Sequence, residues 1–269
     1  MTSIEKCIRE LNGKGEGAII AYVCGGDPTP KHTCKIVDAL IGGGADIIEL
    51  GIPFSDPIAD GPTIQAASTR ALKSGTTPAK VMEIAREVKI EHPSHPIVIL
   101  TYYNPIFQIG LERFFKIASK NFIDGVIIPD LPVEESINYK QIANDYGIST
   151  IFMATPNTSK IRLEKIIRHT AGFLYLVSIF GVTGTRENVH DLTIQTLQQI
   201  TPQINGRIPL AVGFGISKPE HVKTIIEQGA NGAIIGSAFV KIIEEYQNDS
   251  QKMLKKLEEK TSQLKSGTK

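Results

Sequence analysis

The chain has 269 residues, of which 41% are hydrophobic and 21% charged, so it can bury one sizeable core but not comfortably two full domains. The formal net charge of +1 comes from interspersed acidic and basic residues, which argues against a nucleic-acid partner. The chain starts without the apolar segment of a secretory signal, and no run of about 18 apolar residues follows. We therefore expect a cytoplasmic protein with no membrane partner.

Eight short apolar segments alternate with amphipathic helical patterns along the chain. The predicted strands are 18–23, 46–50, 96–101, 125–128, 148–152, 173–177, 208–212 and 232–235. The predicted helices are 4–11, 31–41, 78–89, 111–120, 134–144, 160–169, 192–200, 219–227, 237–246 and 250–264. Apolar strands separated by helices favour a parallel sheet covered on both faces, and eight such units favour an α/β fold of the (β/α)8 TIM-barrel type. The alternative, an open doubly wound sheet, lacks a G-x-G-x-x-G after its first strand.

The whole chain, 1–269, is expected to form this one domain. Residues 1–15 carry an extra N-terminal helix that would plug the bottom of the barrel, and 250–269 form a closing helix with a frayed tail from 266 to 269. The spacing between strands is longest after strands two and six. Loops that follow barrel strands lie at the C-terminal face, where active sites of this fold form, so both long loops indicate the site.

Glu49 lies inside the second predicted strand, between two apolar residues. Burial disfavours an ionised carboxylate and raises the pKa of a Glu from about 4.3 towards values useful for proton transfer. The alternative is a structural Glu paired with a Lys or Arg, but the adjacent long loop favours catalysis. Asp56 and Asp60 follow in that loop, and each is also compatible with a simple turn beside Pro or Gly.

Gly-rich segments follow strands six, seven and eight, at 181–184, 213–217 and 236–237. Backbone N–H groups approach closely where side chains are absent, and a helix N-terminus adds positive potential, so together these segments predict a phosphate site. Any one of them alone is compatible with an ordinary turn. Apolar residues at strand ends are typical barrel filler, yet they also suit a flat aromatic substrate with a phosphate tail. The residues predicted to bind substrate are Tyr22, Leu100, Thr183, Gly184, Gly213, Phe214, Gly215, Gly236 and Ser237.

No metal site is expected. His92 and His95 have H-x-x-H spacing, but they precede the third strand and so belong to the opposite face of a barrel. Cys7, Cys24 and Cys34 show no C-x-x-C spacing and are predicted to be reduced core residues.

Six segments in order resemble the tryptophan synthase α-subunit family, over almost the whole chain. They are 26–28, 53–65, 102–105, 129–132, 181–184 and 212–217, of which Pro-Phe-Ser-Asp-Pro-Ile-Ala-Asp-Gly-Pro-Thr-Ile-Gln at 53–65 is the most specific. The resemblance implies cleavage of indole-3-glycerol phosphate to indole and glyceraldehyde 3-phosphate, with no cofactor in this chain. It gives Glu49 the acid–base role, Asp60 the hydrogen bond to the indole N–H, and Tyr175 a place near the reacting glycerol.

The resemblance also implies a partner, a β subunit that holds pyridoxal phosphate and receives indole within an α2β2 heterotetramer. Pro53, Asp56, Asp130 and Pro132 would lie on the surface that contacts it. The long sixth loop would close as a lid, and Ile179 stands there where some relatives carry an arginine. The alternatives are a phosphosugar epimerase or isomerase, a stand-alone lyase that releases indole, and a non-catalytic activator of a β subunit.

Overall fold

The computed structural model describes residues 1–177, 186–213 and 215–269, with side chains from residue 192 in the second range. The strands are β1 Ala18–Cys24, β2 Ile47–Gly51, β3 Ile97–Leu100, β4 Gly125–Ile127, β5 Ser149–Ile151, β6 Met153–Ala154, β7 Leu174–Val177, β8 Leu210–Gly213 and β9 Gly232–Ile235. The helices are α1 Ser3–Asn12, α2 Pro30–Gly42, α3 Pro62–Lys73, α4 Pro78–Glu91, α5 Tyr103–Ile109, α6 Leu111–Lys120, α7 Ile137–Asp145, α8 Lys160–His169, α9 Arg186–Ile204, α10 Pro219–Glu227, α11 Ser237–Glu245 and α12 Ser250–Ser266.

The sheet is a closed parallel barrel. Its strands pair in the order β5-β4-β3-β2-β1-β9-β8-β7-β6. β5 and β6 are two halves of one barrel strand and are separated only by Phe152. The Phe152 carbonyl accepts a 3.1 Å hydrogen bond from the Tyr175 N–H. Because β5 pairs with β4 and β6 pairs with β7, the eight predicted strands close into the expected (β/α)8 barrel.

Alternation along each strand separates the barrel interior from the layer under the helices. In β1, Ile20 and Tyr22 belong to the inner cluster, whereas Ile19 and Ala21 pack in the outer cluster. Parallel pairing sets Tyr22 in register with Glu49 of β2. The period of two in a strand therefore directs Glu49 to the inside of the barrel.

The two ends of the chain close the lower rim of the barrel. Ile4 and Ile8 of α1 are fully buried in the inner cluster, as expected for a helix that plugs the bottom. The predicted fraying of 266–269 is wrong. Thr268 is fully buried and its carbonyl accepts a 2.9 Å hydrogen bond from the Gly17 N–H, so the tail is fastened to the start of β1.

Two helices lie in segments for which the sequence predicted only loop. α3 occupies much of the surplus length between β2 and the next predicted helix, and α5 follows β3 after two residues. Pro62 in the first turn of α3 is a helix-start signal. Ala67 and Ala71 of α3 join the inner cluster, so this helix covers part of the barrel instead of forming a free loop.

The remaining differences concern helix starts. The helix predicted over 134–144 begins as a 3-10 turn at Val133–Glu135, followed by α7. α9 begins at Arg186, ahead of the predicted start at 192. The long sixth loop expected to act as a lid falls on 178–185, outside the described residues. No helix in the described ranges has the length and apolar character needed to cross a membrane.

Candidate active site

A cavity of about 240 Å³ opens at the C-terminal ends of the barrel strands. It lies where β2, β3 and β9 end and where the long loop after β2 returns over the barrel. The predicted residues that line it are Glu49, Asp60, Tyr175, Tyr22, Leu100, Gly215, Gly236 and Ser237. Residues from opposite parts of the chain therefore meet in one pocket.

Glu49 is a buried carboxyl with few partners. It is 1% exposed, and its Oε2 has no hydrogen-bond partner in the described part of the chain. Burial, and then the charge of Asp60, raise the pKa of Glu49 from 4.5 to about 8. At pH 7 this carboxyl is mostly protonated and is ready to act as a proton donor.

Asp60 lies in the loop between β2 and α3, on the same cavity. Burial raises the pKa of Asp60 from 3.8 to about 6, while a hydrogen bond from the Tyr102 hydroxyl lowers it. Asp60 is therefore mostly ionised at pH 7, when Glu49 is mostly protonated. Two carboxyls whose pKa values lie on opposite sides of neutrality can serve as a donor and an acceptor at the same time.

Tyr22 and Tyr175 line the cavity beside these carboxyls. Burial raises the pKa of both phenols well above 10, so their hydroxyls stay protonated. Each ring tip lies against a glycine: a Cβ at Gly51 or Gly213 would overlap the hydroxyl of Tyr22 or Tyr175, respectively. Gly213, predicted to bind substrate, thus packs beside Tyr175 and does not belong to the cavity lining.

The predicted phosphate residues that the structure describes lie on the wall formed after β8 and β9. Gly236 is the N-cap of α11 and Ser237 its first residue, so the helix N-terminus adjoins the cavity. Free N–H groups and the helix dipole at that end favour an anion. Gly215 lines the same cavity with a φ of 73°, a conformation suited to glycine. Thr183, Gly184 and Phe214 lie outside the described residues.

Sequence reasoning missed Lys241, which also lines the cavity. It is the cationic residue of the described lining, and it forms no ion pair within the described ranges. Its position four residues after Ser237 places both on one face of α11. That spacing is the signal that would have found it.

Three of the four predicted partner-contact residues are exposed. Asp56, Asp130 and Pro132 lie at the surface in the loops after β2 and β4, whereas Pro53 is buried. Pro53 is thus not exposed in this chain alone, and its contact with a partner stays a prediction. Asp130 Oδ1 accepts a 2.9 Å hydrogen bond from the Tyr103 N–H, which ties the loop after β4 to the start of α5.

The histidine pair and the cysteines lie apart from the cavity lining. His92 Nε2 is 2.8 Å from Asp38 Oδ1, and donor atoms of Asp38, Glu91 and His92 all lie within 4.8 Å of one another. Glu91 is exposed and the other two residues are half-buried, and the contact between His92 and Asp38 is a hydrogen bond. All three cysteines are free, and of these only Cys24 is fully buried, which corrects their common prediction as core residues.

Comparison with known proteins identifies the family. The model of the family described as tryptophan synthase alpha chain matches residues 8–269. The tryptophan synthase alpha chain of Methanosarcina barkeri is 44% identical over 266 residues, covering 99% of this chain and 97% of that one. The alpha chain of Arabidopsis thaliana is 44% identical over 263 residues, covering 98% and 94%.

Solved structures agree with the sequence relatives. A chain of the tryptophan synthase α2β2 complex from the hyperthermophile Pyrococcus furiosus superimposes with a TM-score of 0.86 at 42% identity, covering 93% of this chain and 98% of that one. The alpha chain of Legionella pneumophila gives a TM-score of 0.90 at 31% identity, covering 100% and 97%. This chain, with its two carboxyls in the mouth of a (β/α)8 barrel, belongs to the tryptophan synthase alpha chain family.

Proposed function

We propose that this chain is a carbon–carbon lyase of tryptophan biosynthesis that cleaves indole-3-glycerol phosphate to indole and glyceraldehyde 3-phosphate. One observation carries the proposal: Glu49 and Asp60, whose pKa values lie on opposite sides of neutrality, line one cavity with the N-terminus of α11. The reaction needs a proton donor, an acceptor for a developing positive charge, and a site for a dianion. Membership of the family supports the same activity.

The first step is proton transfer from Glu49 to C3 of the indole ring. The ring then becomes a positively charged indolenine, whose N–H is more acidic than that of indole. The Asp60 carboxylate accepts a hydrogen bond from this N–H and stabilises the charge as it develops. The same carboxylate binds neutral indole less strongly, so the interaction favours the transition state.

The second step breaks the carbon–carbon bond. Glu49, now ionised, accepts the proton of the hydroxyl on the carbon attached to indole C3. That carbon becomes the aldehyde carbon of glyceraldehyde 3-phosphate, and the bonding pair returns to the ring and neutralises it. Glu49 ends the cycle protonated, and Tyr175 lies beside it to orient the glycerol hydroxyls.

The phosphate group would bind at the opposite wall of the cavity, which is formed by the segments after β8 and β9. The N–H groups at Gly236 and Ser237, with the side chain of Lys241, supply positive potential to the cavity. Thr183, Gly184 and Phe214 stay predictions for this wall, as does closure of the sixth loop over it. A sugar phosphate isomerase would use a similar wall but has no need for the indole acceptor Asp60.

We further propose that the chain works in the cytoplasm with a β subunit that carries pyridoxal phosphate and receives indole. Large apolar side chains are exposed after successive strands on the C-terminal face, where a partner would bury them: Ile58, Phe107, Ile137 and Ile161 are 69–88% exposed. Asp56 lies in the same loop as Ile58, and Asp130 and Pro132 lie in the loop that precedes Ile137. The relative from Pyrococcus furiosus assembles as an α2β2 complex. Free cysteines suit a reducing compartment.

The test is to incubate the purified chain with indole-3-glycerol phosphate, with and without a β subunit, and to measure indole and glyceraldehyde 3-phosphate. We expect equal amounts of both products in both samples. A lack of indole in both would contradict the lyase activity and favour an epimerase or isomerase. Activity without co-elution on size-exclusion chromatography would favour the stand-alone lyase, and activation of the β subunit without indole release would favour a non-catalytic activator.

A further inference from the structure

Tyr102 lies against the loop between β2 and α3, the loop that carries Asp60. It is the residue immediately before α5, separated from β3 by Thr101, and it is 2% exposed. Its ring packs on Phe54, with the ring centroids 5.4 Å apart and the planes inclined by 31°. A tyrosine buried this deeply has its hydroxyl, and not only its ring, in a defined environment.

The Tyr102 hydroxyl contacts two successive residues of the loop after β2. The Ala59 N–H donates a 3.0 Å hydrogen bond to Tyr102 Oη. Asp60 is the next residue, and the Tyr102 hydroxyl lies close enough to its carboxyl to lower the pKa of Asp60. The phenolic oxygen already accepts from Ala59, so its proton is free to be donated to the neighbouring carboxylate. One hydroxyl thus fastens the backbone of the loop beside Asp60 and faces the Asp60 carboxyl.

The other groups that face Asp60 do not replace this contact. Glu49, Tyr22, Tyr175 and Cys24 are close enough for the charge of Asp60 to raise their pKa values. They are neutral or negatively charged, so they do not favour ionised Asp60. Lys241 also lines the cavity, from α11. Burial raises the pKa of Asp60, and the hydrogen bond from Tyr102 opposes that rise.

We propose that Tyr102 is a positioning residue, which holds the Asp60 carboxylate in the orientation that accepts the indole N–H. This inference rests on the proposed lyase function and deepens it. Phe54 holds the Tyr102 ring, and the neighbouring Tyr103 N–H is bonded to Asp130. Tyr102 thereby connects Asp60 with both segments that are expected to contact the β subunit, 53–56 and 129–132.

The test variant is Tyr102→Phe, which keeps the ring against Phe54 and removes only the hydroxyl. We expect kcat to fall roughly 10- to 100-fold, the size of a lost hydrogen bond to a charged group, with KM for indole-3-glycerol phosphate within about threefold of wild type. Loss of the donor makes Asp60 harder to ionise, so the acid limb of the kcat/KM profile should move to higher pH. In an Asp60→Asn background the same substitution should have little further effect.

Tyr139→Phe is the matched control, because it also removes a buried phenolic hydroxyl. Tyr139 is 3% exposed, and its hydroxyl bonds the Val126 carbonyl at 3.3 Å, away from the cavity lining. This control should lose some stability while its acid limb stays in place. A purely structural role for Tyr102 predicts that both variants behave alike, and that result would overturn the proposal.

A second variant covers the case in which Tyr102→Phe fails to fold. Replacing Tyr102 by 3,5-difluorotyrosine keeps the ring and makes the hydroxyl a stronger donor, so the acid limb should move to lower pH. An unmoved limb in this protein would also overturn the positioning role. A wild-type chain that releases no indole contradicts the lyase function and this inference together, whereas an active wild-type chain with unaltered variants contradicts this inference alone.

Discussion

The two walls of the cavity are built by opposite means. On the side of β2 and β3, the proposed function depends on the side chains of buried Glu49 and half-buried Asp60, whose pKa values are raised by loss of solvent. On the side of β8 and β9, it depends on main-chain groups at Gly215 and Gly236, where side chains are absent. The first wall is therefore expected to respond to pH and to isosteric substitution, and the second to salt and to the phosphate of the substrate.

The largest effect is expected for Glu49→Gln, which keeps the shape of the side chain but cannot transfer a proton. Loss of the proton donor should lower kcat by about 10²- to 10⁴-fold, with KM nearly unchanged. Steady-state assays of indole release measure this. Glu83→Gln, at an exposed site in α4, is the control and should be fully active. A near-normal rate for Glu49→Gln would contradict the role of Glu49.

Asp60→Asn should lower kcat by roughly 10²-fold, because an amide oxygen stabilises the indolenine charge less well than a carboxylate. The pH profile sharpens this prediction. For wild type, kcat/KM should fall below about pH 6 as Asp60 is protonated, and above about pH 8 as Glu49 loses its proton. The Asp60→Asn variant should lose the acid limb and keep the basic limb. An Asp60→Asn variant that keeps both limbs would contradict the role proposed for Asp60.

Glu49, on the wall formed by β2 and β3, should also make the stability of the fold depend on pH. The pKa of Glu49 is raised from 4.5 to about 8 by folding, so this group destabilises the fold as pH rises from below 4.5 through 8. Glu49→Gln removes that ionisation and should gain a few kcal/mol at pH 9, at about 1.4 kcal/mol for each unit of pKa. Urea unfolding at pH 5 and pH 9 measures the gain, which should be much smaller at pH 5. An equal gain at both values would show that the pKa of Glu49 is not shifted.

The phosphate wall should give the smallest effect, for Lys241→Met. An exposed lysine contributes up to about 1 kcal/mol, so KM for indole-3-glycerol phosphate should rise no more than about fivefold, and less at high salt. In the reverse reaction the affinity for indole, which has no phosphate, should stay the same. Lys223→Met, in α10 and outside the cavity lining, is the control. An altered affinity for indole would mean that Lys241 acts on the other wall.

Regular patterns predicted the fold well. Helices α6, α8 and α10 begin and end at the residues predicted from amphipathic spacing and start signals. α3 and α5 were missed because Pro and Gly lie at or near their ends, residues that also mark loops, and α5 has only 7 residues. The prediction that the tail frays was wrong because local sequence does not reveal hydrogen bonds between distant residues, such as the one between Gly17 and Thr268.

The sequence predicted residues of the cavity where their chemistry is unusual for their position. A carboxylate in an apolar strand pointed to Glu49, and Gly-rich strand ends pointed to Gly236, and the structure places both residues at one cavity. The sequence did not reveal the hydrogen bond between Tyr102 and Ala59, next to Asp60, because that contact depends on tertiary packing between the segment after β3 and the loop after β2. For the same reason, the close approach of Tyr175 to Gly213 appears only in the folded chain.

The central claim is that Glu49 is protonated at neutral pH while Asp60, in the same cavity, is ionised. Infrared spectroscopy of protein with ¹³C-labelled glutamate carboxyls measures this directly, because a protonated carboxyl has a band separate from those of carboxylates. We predict one buried, labelled carboxylic-acid band at pH 7 that disappears above about pH 8 and is missing from Glu49→Gln. A labelled protein with no such band at pH 7 would contradict the account.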